Sequence, residues 1–142
     1  MIVDFYHLTV SPLERVLPSI CEKVLAAGGR LVVVAQEAQI GALDEALWSY
    51  AKEAFLPHGR ERAASQLVLL STEPVAANGA RNIALADGIW REEALGFERA
   101  FYFFDTSAAE GAREAWRSLK GKADAEARYW KQDERGKWVQ GP

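Results

Sequence analysis

The sequence is poor in cysteine and histidine and has no long apolar run. Cys21 is the only cysteine, so the chain can form neither an intrachain disulfide nor a thiolate metal cluster. It falls among the apolar residues of a helical pattern, which favours a buried, inert thiol. Asp4 interrupts the first apolar run, and no run approaches the ~20 residues of a membrane span. We therefore expect no signal peptide, no membrane contact and a cytoplasmic protein.

Motifs for catalysis and metal binding are also absent from the sequence. The two histidines, His7 and His58, belong to no triad, and there is no H-E-x-x-H, nucleophile elbow or pair of metal carboxylates. His7 ends a predicted strand and His58 follows Pro57 at the start of a loop, so we expect hydrogen-bonded structural roles for both. No catalytic residue, cofactor or metal is expected, and no intrinsic enzymatic activity.

Composition indicates an ordinary globular domain. The 142 residues are 49 % hydrophobic and 26 % charged, which predicts one domain over residues 1–142 with a proper core. The net charge is −3, whereas wholesale coating of nucleic acid needs a basic field. We therefore expect little direct nucleic-acid binding.

The first elements form a strand, a helix and a second strand. Residues 2–8 are rich in β-branched and aromatic residues, as in a strand. Ser11 is the expected N-cap of the next helix, with Glu14 completing a capping box, and Gly28-Gly29 ends that helix. Residues 31–35 form a continuous apolar run, typical of a strand buried on both faces. This order predicts a βαβ unit.

The rest of the chain continues the alternation of helices and strands. Helices are expected over 37–50 and 107–120, the second capped by Thr106 or Ser107, and strands over 67–70, 82–86, 100–104 and 127–131, with a return over 137–139. The predicted fold is a single-domain, three-layer α/β sandwich, with a mainly parallel twisted sheet and helices on both faces. The order of the strands cannot be derived from the sequence.

The sheet is expected to be Rossmann-like but without a nucleotide loop. The first strand–helix turn, Thr9 to Pro12, has no glycine for close approach to phosphate, and Pro12 has no N–H to donate. A small α/β nucleotide-binding or hydrolytic enzyme with an unrecognised site stays open as the alternative.

The last predicted helix has a basic face with an aromatic centre. At 100° per residue, four side chains fall within a sector of about 100°, namely Arg113, Trp116, Arg117 and Lys120. Guanidinium groups beside an indole complement an acidic peptide with an aromatic or carboxylate end. The alternative is a solvated helix face balanced by Glu110 and Glu114.

Trp48 and Phe55 form a second aromatic pair, near the end of the predicted 37–50 helix. Seven residues separate them, so two helical turns would bring them to the same face. The pair can close a core or anchor a partner. Trp48 is offset by one residue from the inner stripe that contains Leu47, which makes its exposure plausible.

Several short motifs of this sequence, in this order along the chain, resemble those of the chi subunit family of bacterial DNA polymerase III holoenzyme. LDEALW at 43–48 is followed by FLPH at 55–58, with FYHL at 5–8 and FFD at 103–105 ahead of the basic helix. The resemblance implies a non-catalytic replisome accessory subunit. Such a subunit links the C-terminal tail of single-stranded-DNA-binding protein to the clamp loader through the psi subunit.

The resemblance also assigns roles to residues. Arg113, Trp116 and Arg117 fall where the family's tail-binding Arg, Tyr and Lys are expected, whereas a family lysine on this helix is replaced by Ala109. Trp48 and Phe55 fall where the family contacts psi, or an equivalent clamp-loader bridge, and a helicase partner by the same surface.

Overall fold

The computed structural model describes residues 1–50 and 56–141. Its strands are β1 (Ile2–His7), β2 (Leu31–Val34), β3 (His58–Gly59), β4 (Val68–Ser71), β5 (Asn82–Leu85), β6 (Arg99–Phe104), β7 (Glu126–Gln132) and β8 (Trp138–Gln140). Its α-helices are α1 (Leu13–Ala26), α2 (Glu37–Ser49) and α3 (Ala109–Lys120). Each helix expected from the sequence is present, with ends displaced by one or two residues. The predicted polar loop after Pro57 contains the short strand β3 instead of being irregular throughout.

The strands form one sheet in the order β3-β4-β2-β5-β6-β1-β7-β8. All neighbouring strands are parallel except β7 and β8, which form an antiparallel pair at the edge. The mainly parallel sheet is therefore confirmed. β1 lies between β6 and β7, and in this register His7 is beside Phe104 on one side and Lys131 on the other.

Helices cover both faces of the sheet, which confirms the three-layer sandwich. Because side chains alternate along a strand, Phe5 and Tyr6 enter opposite layers. Tyr6 packs in the core beneath α1 and α2, and Phe5 packs in the core beneath α3. Among the described helices, none is both long and apolar enough to cross a membrane.

The ends of the helices show which local predictions were correct. Gly28, at φ +80°, ends α1, and the N–H groups of Gly28 and Gly29 donate to the carbonyls of Leu25 and Val24. This is the Schellman arrangement expected of a glycine stop. The predicted cap by Ser11 was wrong, because Pro12 occupies the N-cap position without a side-chain bond.

Two other side chains explain the corrected caps. Gln132 on β7 forms two hydrogen bonds with Ser11. Its Oε1 accepts from the backbone N–H of Ser11 at 3.0 Å, and its Nε2 donates to the Ser11 hydroxyl oxygen at 3.0 Å. The predicted cap of α3 by Thr106 or Ser107 was also wrong, because Ala108 is its N-cap residue without a side-chain bond, and Asp105 caps the short 3₁₀ turn before the helix. Its carboxylate accepts from the N–H of Ala108 at 3.2 Å, closing a 3₁₀ turn that leads into the helix.

A buried carboxylate holds β7 beside β1. Asp4 on β1 is fully buried and accepts hydrogen bonds from Arg99 of β6 and from Arg128 and Trp130 of β7, at 2.7–3.1 Å. Burial alone raises the pKa of a carboxyl group, but the bonds from Arg128, Trp130 and Arg99 outweigh it and hold the pKa of Asp4 below its ordinary value. This cluster joins three adjacent strands and places the start of β7 against β1.

Candidate functional site

A pocket of about 350 Å³ lies between α3 and β7, at the carboxyl ends of β1 and β6. In open α/β sheets, ligands bind outside the carboxyl ends of the strands. We call this the tail pocket; its lining residues are Phe5, His7, Phe104, Ala109, Ala112, Arg113, Trp116, Arg117 and Tyr129.

The pattern of α3 places its charges at the rim of the tail pocket. The helix buries Ala112, Ala115 and Leu119 against the sheet, which leaves Arg113 and Arg117 exposed one turn apart. Small alanines bring the helix close to the sheet, so that its arginines reach the mouth of the pocket. Neither arginine forms a salt bridge with a described residue. Among the described residues, Glu110 and Glu114 form no salt bridge either, and both are exposed.

Trp116 forms a wall of the tail pocket and part of its floor. The ring is half-buried and meets Phe5 edge-to-face at 5.3 Å between centroids, with Tyr129 at 6.4 Å. Aromatic neighbours in this geometry hold one another in place. The pocket therefore combines an aromatic floor with two exposed guanidinium groups at its rim, neither of them in a salt bridge with the described part of the chain.

Lys120 lies outside the tail pocket, in contrast to the other three residues of the predicted basic face. Its ammonium nitrogen is 4.7 Å from the centre of the Trp116 ring, within cation–π distance. Arg113, Trp116 and Arg117 share the pocket, and Lys120 supports the indole from the following turn.

Sequence reasoning missed four members of the tail pocket, which are Phe5, His7, Phe104 and Tyr129. Phe5 and His7 have the same parity on β1, and Phe104 ends its strand, so those three could have been placed together from the pattern. Tyr129 could not, because nothing in the sequence places β7 next to β1. Trp130 and Trp138 pack against Tyr6 on the other face of the sheet.

His7 and Tyr129 form the wall of the tail pocket opposite α3. The Nδ1 atom of His7 lies 2.8 Å from the Tyr129 hydroxyl oxygen, and its ring stacks on Phe104 at 4.8 Å. Burial lowers the pKa of His7; Asp105 acts against this, and Arg113 adds to it. Burial also raises the pKa of Tyr129, which keeps its hydroxyl protonated. The hydrogen-bonded role expected for His7 is therefore observed, inside the pocket.

A larger basic pocket of about 540 Å³ lies at the amino ends of the strands, and its cations are Lys23, Arg30, Arg81 and Arg99. Arg99 binds Asp4, and Arg30 donates to the carbonyls of Ala64 and Asn78. The C-terminal end of α1, which carries the negative pole of the helix dipole, also faces this pocket. Its charges are therefore less available to an anion than those of the tail pocket.

The crevice used by nucleotides in related sheets is acidic in this protein. β1 leads to α1 and β6 leads to α3 on the opposite face, so a topological switch point lies between these strands. The adjoining pocket is lined by Glu14, Asp87 and Asp105, together with Pro12. Carboxylates repel phosphate, and Pro12 offers no N–H. Among the described residues, no group of three or more His, Cys, Asp or Glu could hold a metal ion.

Trp48 lies on the other side of the molecule, where α2 packs with β3. Leu43 and Leu47 are buried, whereas Trp48 is 57 % exposed, in agreement with its offset from the inner stripe. The ring meets that of His58 at 4.9 Å. We call the exposed side of the Trp48 ring, which the buried His58 supports from beneath, the Trp48 surface. Phe55, the second residue of the predicted aromatic pair, lies outside the described residues.

The contacts of His58 join β3 to α2. Its Nδ1–H donates to the carbonyl of Leu56 at 2.5 Å, the local backbone bond expected from its position. Its Nε2 lies 3.1 Å from a carboxylate oxygen of Asp44, and the side chain of His58 is fully buried. This 3.1 Å approach does not have hydrogen-bond alignment.

The fold and the tail pocket define a single-domain α/β protein with an arginine-rimmed aromatic pocket and no phosphate cradle at its switch point. The model of the DNA polymerase III chi subunit family, HolC, matches residues 1–125, and the chain belongs to this family. Its role is therefore that of a replication accessory subunit. A comparison with curated proteins gave no significant match. The matched residues include Trp48 and all of α3, whereas Tyr129 follows them.

Proposed function

We propose that the protein links single-stranded-DNA-binding protein to the DNA polymerase III clamp loader through two separate surfaces. The tail pocket binds the acidic C-terminal tail of single-stranded-DNA-binding protein, which in this family ends in a phenylalanine carboxylate. The Trp48 surface binds psi or an equivalent bridge to the clamp loader, and a helicase can use the same surface.

The observation that supports tail binding is the combination of an aromatic floor and exposed cations in one pocket. Trp116 and Tyr129 offer ring faces and edges to a phenylalanine side chain, above the buried ring of Phe5. Arg113 and Arg117 offer guanidinium groups, which bind carboxylates through paired, charge-assisted hydrogen bonds. An acidic peptide with an aromatic carboxyl terminus satisfies both requirements at once.

Ala109 is the departure from the family that lies within the tail pocket. It lines the pocket at the first residue of α3, where the family's lysine would add a third cation. Its absence weakens the attraction for acidic residues that precede the end of the tail. Lys131, exposed on β7 beside His7, is a cation on the same face of the sheet.

Trp48 supports the second surface because large exposed aromatics are the commonest anchors of protein interfaces. Its ring is held against His58 and keeps more than half of its surface open to solvent. α2 and α3 pack on opposite faces of the sheet, so both partners can bind at the same time.

A titration of the whole protein tests tail binding against the nucleotide alternative. The ligands are a peptide with the acidic C-terminal sequence of the organism's own single-stranded-DNA-binding protein, the same peptide without its last residue, and ATP with Mg²⁺. We expect saturable 1:1 binding of the full peptide and at least about tenfold weaker binding of the shortened one. ATP should give no thermal shift, because a ligand that does not bind the native state cannot stabilise it.

Two outcomes would contradict the proposal. Equal binding of the two peptides would mean that the pocket does not recognise the end of the tail. Submicromolar nucleotide binding would favour the small α/β enzyme instead.

A further inference from the structure

His7 and Tyr129 are the polar pair in the tail pocket that the proposed function has not yet used. In neutral His7, both contacts are satisfied when the Tyr129 hydroxyl donates to Nδ1 and Nε2–H faces the Thr106 hydroxyl, 3.4 Å away. The Tyr129 proton then points at the imidazole and away from any anion in the pocket. The neutral pair therefore presents oxygen lone pairs to a carboxylate.

Protonation of His7 reverses this hydrogen bond. With a proton on Nδ1, the imidazolium donates to the Tyr129 oxygen, and the hydroxyl proton can point into the pocket. The Tyr129 hydroxyl then faces the pocket as a hydrogen-bond donor instead of an acceptor. Protonation also adds a positive charge opposite Arg113 and Arg117.

The charges around His7 decide when this happens. Arg113 on α3 disfavours the imidazolium, whereas Asp105, at the end of β6, favours it. On β7, Tyr129 is neutral, and Lys131 is the exposed register partner of His7. On β1 itself, Asp4 lies on the opposite face and is neutralised by its arginines. A carboxylate that pairs with Arg113 removes the main repulsion and adds an attraction.

We propose that His7 is a positioning residue for the terminal carboxylate of the tail. When the carboxylate enters the pocket, His7 takes up one proton and turns the Tyr129 hydroxyl towards it as a donor. This inference rests on the proposed function, since it concerns the same pocket. Tyr129 is the group that contacts the ligand, and His7 acts through it.

The sign of the pH dependence follows from proton uptake. Burial and Arg113 keep His7 mostly neutral in the free protein near pH 7, because they lower its pKa. If the bound anion raises that pKa, the complex holds more protons than its free parts. Affinity then rises as the pH falls through the bound-state pKa, and it levels off below the free-state pKa. The carboxylates of the peptide titrate below about pH 4.5 and stay ionised across this range.

The test measures the affinity of the whole protein for the tail peptide by calorimetry between about pH 8 and about pH 5.5. We expect affinity to rise by about three- to tenfold as the pH falls, which corresponds to a pKa shift of up to about one unit. Titrations near neutral pH, in two buffers of different ionisation enthalpy, should show net proton uptake on binding.

Two variants distinguish the proposed action of His7 through Tyr129 from a purely structural role of His7. His7→Asn keeps a hydrogen-bonding atom near the position of Nδ1 but cannot carry a charge, so its affinity should not change with pH over this range. Tyr129→Phe removes the donor and should lose both the pH dependence and part of the affinity. A peptide with an amidated C-terminus is the matched ligand control, and its weaker binding should not respond to pH. Circular dichroism checks that both variants fold.

The outcomes distinguish this inference from the proposed function. If the wild-type protein binds the peptide with the same affinity at every pH, or if His7→Asn keeps the pH dependence, His7 has no part in recognition and the tail pocket remains. If the wild-type protein does not bind the peptide at all, the proposed function itself has failed.

Discussion

Asp4 is the residue on which the geometry of the tail pocket depends. It lies on the α1 face of β1, one residue before Phe5, which lies on the floor of the pocket. Its carboxylate joins Arg99 and Arg128, whose strands flank β1 on either side. Removing one partner of a buried ion pair leaves the other charges uncompensated.

We predict that Asp4→Asn lowers the free energy of unfolding by about 2–3 kcal/mol. Breaking a buried pair costs ~3–5 kcal/mol, and the partial exposure of the arginines, 41 % for Arg99 and 28 % for Arg128, reduces this. Urea unfolding followed by circular dichroism measures the change. An unchanged midpoint would show that the cluster does not stabilise the sheet.

Asp4 should also give the wild-type protein a distinct acid sensitivity. Its pKa is lower in the folded protein than its ordinary value. The folded state therefore gains stability above the unfolded pKa of about 3.9 and loses it as the pH falls through the lower folded value. Melting temperatures between about pH 5 and pH 2 should fall more steeply for wild type than for Asp4→Asn. Parallel curves would assign the acid sensitivity to other carboxylates.

Substitution of Arg117 tests whether the charge at the rim of the tail pocket contributes to peptide binding. Arg117→Glu replaces an attractive group by a repulsive one at an exposed position. Charge-assisted contacts are worth ~1.5–3 kcal/mol, so we expect tail-peptide affinity to fall at least about tenfold, and further at low salt. Fluorescence anisotropy of a labelled peptide measures it.

Arg81→Glu is the matched control for Arg117→Glu. Arg81 is 79 % exposed by its side chain and lies at the amino ends of the strands, away from the tail pocket. The substitution makes the same change in net charge, so it should change affinity little. Equal losses in the two variants would indicate a general electrostatic effect and remove α3 from the site.

At the scale of elements, the orientation of α3 on the sheet could be predicted from the sequence, whereas the position of β7 beside β1 could not. The spacing of Ala112, Ala115 and Leu119 determines which side of α3 faces the sheet, and Arg113 and Arg117 follow from it. These relations are local, so the sequence contains them. The neighbours of a strand depend on contacts between distant residues, such as Asp4 with Arg128, which no periodicity reveals.

The same reasoning explains the two incorrect helix caps. Ser11 and Glu14 match the capping-box pattern, but Gln132, 121 residues away, takes the Ser11 hydroxyl and backbone N–H. Before α3, the Ser107 hydroxyl donates to Asp105, and the same carboxylate accepts from the N–H of Ala108. A local pattern fails where a more distant or stronger hydrogen-bonding partner is available.

The exposed end of α2 yields a prediction that separates binding from stability. We expect Trp48→Ala to change the free energy of unfolding by about 1 kcal/mol or less, because more than half of the ring is open to solvent. Binding to psi or its equivalent should fall by ~2 kcal/mol or more, as for an interface anchor. Thermal melts and a pulldown with the clamp-loader partner measure the two effects.

Trp130→Ala is the control for the loss of a tryptophan. Trp130 packs on Tyr6 and donates to Asp4, so its truncation should cost ~3 kcal/mol or more in stability. A Trp48→Ala protein that unfolds as readily as Trp130→Ala would place Trp48 in the core and remove it from the partner surface.

At the scale of the whole molecule, the sheet separates the two proposed surfaces. The Trp48 surface lies where α2 meets β3 at one edge, and the tail pocket lies under α3 near β7, towards the other edge. The helices pack on opposite faces. The two proposed surfaces therefore do not overlap, and we predict that saturating tail peptide leaves the affinity for the clamp-loader partner unchanged.

The central claim is that the acidic tail binds under α3. Its most direct measurement is a nuclear magnetic resonance titration of the isotopically labelled protein with the tail peptide, following every backbone amide. We predict shifts confined to α3, the ends of β1 and β6, and β7 around Tyr129, with α2 unchanged. Shifts that cluster instead around Lys23 and Arg81, at the amino ends of the strands, would contradict the account.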